Sequence, residues 1–235
     1  MNNYYSQGYQ QPTPAIDMRV SQIMKRVYVK MFLGLLVTAF TSWIVAFNAP
    51  SILEFIVYNR WVYWGLLIVE VLMVLGINGS VRRMNSSMAT GLFYLFAVVN
   101  GLALSLIFVA YSLPSIFKTF VITAGVFGAM SVYGYFTEKD LTKIGTFLRM
   151  ALWGLIIALV VNIFWANSTL EWIISFAGVI IFIGLTAWDT QQIKRIAMAA
   201  PGEAIPSLAT VGALMLYLDF INLFIYLLRF LGQRN

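Results

Sequence analysis

Residues 213–230 read ALMLYLDFINLFIYLLRF, an apolar run with Asp219 near its middle. Roughly 20 such residues cross the hydrocarbon core of a bilayer. A carboxylate placed there costs roughly 2.5–3.5 kcal/mol on insertion scales, and more on an isolated helix. A chain that keeps the acid in this run has a use for it. Comparable apolar runs recur from Met31 to the C-terminus, and of 235 residues 61% are hydrophobic and 10% charged. Soluble domains carry about 25% charged residues, so the sequence specifies an all-α polytopic membrane protein.

The composition removes several chemistries. The chain has no Cys and no His. Disulfides, thiolate metal sites, Cys nucleophiles, imidazole bases, HExxH zinc sites and Ser-His-Asp triads are therefore excluded. No residue pattern calls for a cofactor or an enzymatic reaction. The net charge of +6 comes from basic residues at the ends of apolar runs, which is not a nucleic-acid signature.

Residues 1–15, MNNYYSQGYQQPTPA, are polar and lack the charged and apolar regions of a signal peptide. They are expected to remain attached as a disordered tail. Residues 16–30 form an amphipathic lead-in with Ile16, Val20, Ile23, Met24 and Val27 on one face and Arg19, Lys25, Arg26 and Lys30 among them. Two readings stand: a helix lying on an anionic leaflet, or a cytosolic lead-in to the first span.

Residues 31–235 hold seven expected spans: Met31–Phe47, Trp61–Asn78, Ala89–Tyr111, Ile116–Tyr135, Phe147–Trp165, Trp172–Trp188 and Ser207–Leu231. Trp43, Trp61, Trp64, Trp165 and Trp172 near their ends fit interfacial belts. The 189–206 connection carries a helical stretch of its own before Pro201-Gly202. With the N-terminus inside, eleven Lys and Arg fall on the cytoplasmic side and Arg60, Lys118, Arg229 and Arg234 fall outside. The positive-inside rule then places the N-terminus in the cytoplasm and, with seven spans, the C-terminus outside. A re-entrant last segment returns the C-terminus to the cytoplasm.

Polar residues inside the spans mark candidate sites. Glu70 interrupts WVYWGLLIVEVLMVLGIN, Asp219 is followed one turn later by Asn222, and Asp189 closes the sixth span in GLTAWDTQQIKR. If Lys194 and Arg195 snorkel to the headgroups, Asp189 lies about 7 Å inside the boundary. Asn100 and Asn162 read as interhelical hydrogen-bonders, and Gly125, Gly128, Ala129, Ser131 and Gly134 as a close-packing face. Intramembrane acids are functional candidates by default. Their structural alternative is an ion pair with a helix-end arginine, Arg82 or Arg83, or simple solvation at the membrane edge for Asp189. Two carboxylates in one low-dielectric site share a proton and titrate as a unit. Ionised, they are hard oxygen ligands suited to transient Ca²⁺.

GLTAWDTQQIK, LYLDFINLF and VFGAMSVYGYFTEKDL together resemble the signatures of the Bax inhibitor-1 family, its bacterial members above all. The likeness runs from about Val27 to the C-terminus. It implies seven helices, six of them packed around the C-terminal one. It also implies that Asp189 and Asp219 are a hydrogen-bonded pair beside a pore, in a pH-sensitive passive Ca²⁺ leak. A basic residue late in the second helix engages the seventh-helix acid in this family, a latch that Arg82 or Arg83 can supply. Glu70 matches a second-span acid. Relatives are linked to suppression of cell death and to modulation of a membrane AAA protease. Expected partners are therefore Ca²⁺ or another cation, the lipid bilayer and a membrane protease. The expected location is the bacterial inner membrane.

Three other functions compete. One is a regulatory membrane protein that modulates a membrane protease or a stress response without conducting ions. A proton-coupled transporter stays open, although no inverted repeat is visible. An intramembrane aspartyl protease is disfavoured because Asp219 sits in LYLDF, with no GxGD arrangement, and Asp189 in TAWDT.

Overall fold

The computed structural model describes residues 14–80, 86–165, 167–199 and 205–234. The helices are α1 (Pro14–Phe47), α2 (Pro50–Tyr58), α3 (Arg60–Ser80), α4 (Ser86–Leu104), α5 (Ile107–Ala110), α6 (Leu113–Phe136), α7 (Thr142–Trp165), α8 (Ser168–Ala199) and α9 (Ile205–Leu231). Among the described residues, extended pairing is confined to a single antiparallel bridge between Tyr111 and Arg234. Six stretches are each long and apolar enough to cross a bilayer, and α2–α3, bent by 95°, makes a seventh when taken as one span.

The elements differ from the sequence reading where apolarity ends before the helix does. α1 runs unbroken through the lead-in and the first span. Val20, Ile23, Met24 and Val27 are buried in the protein core, so that face meets protein, and the reading of a helix lying on the leaflet by this face is not sustained. α8 likewise continues past Trp188 to Ala199, because nothing in WDTQQIKRIAMA breaks a helix before Pro201. A two-residue turn at Ser105–Leu106 interrupts the third span, giving α4 and α5. The first connection contains α2, opened by Pro50 at its first turn, where proline's fixed φ and missing N–H cost nothing.

α9 is the most buried span. In its most apolar 18-residue window 72% of residues are buried, against 11% for α7. Its principal neighbours are α1, α4, α6 and α8, whereas α3 packs on α4 and α7 packs on α8. A helix apolar on every side belongs inside, and α9 meets that description apart from a few polar side chains. Lipid-type surfaces lie on the outer helices, as at Ile68, Val71 and Leu72 of α3 and Ile157, Ile163 and Phe164 of α7.

The two ends of the bundle are tied differently. At the end holding Tyr111 and the start of α8, the C-terminal segment is clipped in place. Ser112 N–H donates to the Gln233 carbonyl at 3.2 Å, Gln233 N–H donates to Ser115 Oγ at 2.9 Å, and Arg234 pairs with Glu171 at 2.6 Å. At the other end, Lys30 of α1 donates to Thr90 of α4 and Thr210 of α9 at 2.8 and 2.7 Å. α9 therefore runs alongside α1 from one tied end of the bundle to the other.

The small-residue face of α6 is only partly used for packing. A Cβ on Gly134 would collide with the Ala187 carbonyl oxygen of α8, while Cβ atoms on Gly125 and Gly128 would meet nothing within 4 Å.

Candidate functional site: a buried carboxyl pair and a separate polar chain

Asp189 on α8 and Asp219 on α9 come together in the interior, 8% and 4% exposed. Their carboxyl groups lie against each other, and two acids in contact in a low-dielectric site favour sharing a proton over both being ionised. The continuation of α8 explains how the pair forms. From the end shared by α8 and α9, Asp189 lies ten residues inside Ala199 and Asp219 fourteen inside Ile205, or about 15 and 21 Å at 1.5 Å per residue. A modest tilt closes that difference.

Each acid keeps one oxygen out of the pair. Asp189 Oδ1 and Asp219 Oδ2 are buried without a protein hydrogen-bond partner, as are Thr190 Oγ1 and Ser131 Oγ. These four atoms lie on α6, α8 and α9, three helices that pack on one another. An unsatisfied buried polar group costs about 1–3 kcal/mol, a cost that the two acids and the neighbouring Thr190 carry together.

The cation whose charge reaches Asp189 is Arg149 of α7, a residue counted in the sequence only as cytoplasmic charge. Its guanidinium lies 4.2 Å from the centroid of the Trp188 ring. A Cβ on Gly145 would run into that indole, so Trp188 is held between Gly145 and Arg149 and fixes the register of α7 beside the pair. Arg82 and Arg83, the expected latch, lie outside the described residues.

The rest of GLTAWDTQQIKR fastens the 137–141 loop onto α8. Gln191 Nε2 donates to the Lys139 carbonyl at 2.8 Å, and its Oε1 accepts from Leu141 N–H at 3.0 Å. Lys194 does not snorkel. It donates to the Tyr135 carbonyl at 2.7 Å and lies 4.7 Å from that ring's centroid. Arg195 pairs with Asp140 at 2.7 Å. Hydrogen bonds from the Thr142 hydroxyl and backbone N–H, with a third from Arg195, hold the Asp140 carboxyl well below the usual carboxylate range.

Glu70 belongs to a different centre. Its Oε1 accepts from Asn100 Nδ2 at 3.3 Å. Asn100 Oδ1 accepts from Tyr217 Oη at 2.9 Å, Tyr217 Oη is 2.6 Å from Thr38 Oγ1, and Thr38 Oγ1 donates to the Ala97 carbonyl at 2.9 Å. The chain links α3, α4, α9 and α1. Tyr217 and Asp219 are two residues apart, about 200° around a helix, so the two centres face opposite sides of α9. Asn100 thus bonds between helices as read from sequence. Asn162 does not: it accepts from the Asn167 backbone at 3.1 Å. Asn222 donates back to Leu218 of its own helix.

A family model described as "Inhibitor of apoptosis-promoting Bax1" matches residues 20–235. The chain belongs to the Bax inhibitor-1 family. Among its relatives in this family is the "Inner membrane protein YbhL" of Escherichia coli strain K12, 43% identical over 220 residues, 90% of this chain and 92% of the relative. An uncharacterized protein of Borreliella burgdorferi is 44% identical over 217 residues, 92% and 93% of the two chains. An uncharacterized membrane protein of Streptococcus pyogenes serotype M3 is 34% identical over 220 residues, 93% and 96%. The Bax inhibitor-1 match covers every span and both polar centres.

Proposed function

We propose that this membrane protein is a passive, pH-sensitive cation leak in a bacterial inner membrane, with Ca²⁺ as its cargo and the Asp189–Asp219 pair as its proton-responsive element. The observation that carries the reading is the pair itself: two buried acids on adjacent spans whose carboxyl groups meet, each with a buried oxygen that has no protein partner. With the shared proton in place, the pair ties α8 to α9. When the proton leaves, two like charges in a low-dielectric site repel, the tie is lost, and the freed oxygens attract a cation.

The donor set fits passage better than storage. Ca²⁺ takes 6–8 oxygens, and two carboxylates supply at most four. Among the described residues no group of three or more acidic side chains could hold a metal ion, so any Ca²⁺ at the pair keeps water ligands and leaves readily. Arg149, beside Trp188, opposes cation occupancy at Asp189 and sets how much negative charge the open pair presents. Glu70 supplies a further acid on the opposite side of α9.

Calcium entry into liposomes containing the purified protein tests this. The expected result is a flux that depends on pH in the wild type and loses that dependence in Asp219→Asn and Asp189→Asn. A protein that passes no Ca²⁺ at any pH, while folded, overturns the leak and leaves the regulatory reading.

A further inference from the structure

A cavity of about 500 Å³ opens between α1, α4–α5, α6 and α9, in the half of the bundle near Tyr111 and the C-terminus. We propose that it is a binding site for one acyl chain of a membrane phospholipid, which enters sideways between α1 and α6. The proposal is independent of the leak reading and uses none of its residues.

The lining decides the chemistry of the occupant. It carries no charged side chain. Its two hydroxyls are already committed, Thr38 to the Ala97 carbonyl and Tyr217, and Ser42 to the Ala39 carbonyl. Beyond the lone pairs of these hydroxyls and the Trp43 indole N–H, a polar solute meets only hydrocarbon there, and water needs 2–4 polar partners. Apolar cavities of only about 150 Å³ stay dry and take up apolar molecules such as benzene. Left empty, a space of this size forfeits the dispersion contacts of every side chain that faces it.

The mouth decides the source. Trp43 of α1 and Leu113, Phe117 and Phe120 of α6 line it and are 50%, 47%, 70% and 42% exposed. Both helices span the membrane, and α1 and α6 are not among each other's principal neighbours. An opening in that wall meets hydrocarbon. The core itself is divided here: Ile116 and Phe224 belong to a small cluster with Tyr111 and Leu228, separate from the main core that holds Leu35, Leu104 and Phe220. An acyl chain in the cavity joins the two clusters into one apolar interior.

Phosphatidylethanolamine carrying a diazirine on its acyl chain is the probe, reconstituted with the full-length protein, photolysed and read by peptide mass spectrometry. Adducts are expected to concentrate on the segments holding Trp43, Phe108 and Phe120. Ser42→Phe, which puts a ring into the cavity from a buried lining position, should abolish them while adducts on the outward residues Ile157 and Phe164 of α7 persist. Phe117→Ala, which widens the mouth without filling the cavity, should raise labelling inside. Replacing the ethanolamine headgroup by glycerol should change nothing. Labelling no denser at the cavity than on α7, labelling that survives Ser42→Phe, or labelling that follows the headgroup would each overturn the acyl-chain assignment.

Discussion

A hydroxyl or a glycine carries structural weight in this interior that its neighbours in sequence do not. Tyr217 joins α9 to α1 and α4 through one oxygen. Replacing it by Phe leaves the ring in place against Phe93 and Phe96 but strands Asn100 Oδ1 in a buried site. Such a loss costs about 1–3 kcal/mol; thermal unfolding in detergent should show it, and Glu70 should lose its fixed partner. Gly145→Val should expel Trp188 from its place beside Arg149 and destabilise the fold by about 1–3 kcal/mol, the usual cost of overpacking, with a blue- or red-shifted Trp emission as the local sign. At the carboxyl pair the conservative Asp219→Asn keeps volume and hydrogen-bonding capacity while removing the titrating proton. It should leave a folded protein with altered pH dependence, and Asp189→Asn should behave alike because a coupled pair titrates as one unit. The two acids were legible in the sequence because charge inside an apolar run is conspicuous. Arg149, Gln191 and Tyr217 were not: the first counted only as cytoplasmic charge, and nothing in the sequence sets the other two apart from the residues around them.

At the scale of elements, the inner segment of α8 and the 137–141 loop behave as one clamp. Gln191→Leu removes both halves of a buried exchange with Lys139 and Leu141 and should loosen the loop, which faster hydrogen exchange at Leu141 and Gly145 would register. The Asp140–Arg195 pair is exposed, and exposed pairs contribute little, so Asp140→Asn should change stability only slightly. Its sign with pH is nevertheless fixed. A carboxyl held below its usual range contributes stability above its unfolded pKa and loses it as pH falls through the folded value. Asp140 therefore stays ionised between about pH 5 and 8 and loses its small contribution only in strong acid, so any pH response in the neutral range has to arise elsewhere. Hydropathy had ended the sixth span at Trp188 and begun the first at Met31, because it reports depth in the membrane and not the end of a helix. α1 and α8 both run on past the hydropathy boundaries, α8 as far as Ala199, just before Pro201-Gly202, and the continuation of α8 beyond Trp188 is what sets Asp189 inside the bundle beside Asp219.

For the whole molecule, seven apolar runs and their aromatic ends specified a polytopic helical fold. The pairing of helices was not in the pattern, since α9 is no more apolar than its neighbours yet is far more buried. Its apolar circumference suits an interior position, and the partners its polar groups find on α1, α4 and α8 set it apart from equally apolar spans. The clip between residues 111–115 and 233–234 puts the C-terminus at the end of the bundle opposite the 137–141 loop. A chain without cysteine is a clean background for testing this: single Cys residues at Asp140 and at Gln233 should react with an impermeant maleimide from opposite sides of the membrane, the former from the cytoplasm. The most direct test of the central claim is Ca²⁺ flux into liposomes from about pH 5 to 8 for the wild type, Asp189→Asn and Asp219→Asn in parallel. The account predicts a pH-dependent flux in the wild type whose pH dependence is lost or displaced equally in both variants. An unchanged pH profile in both variants, with normal folding, would contradict it.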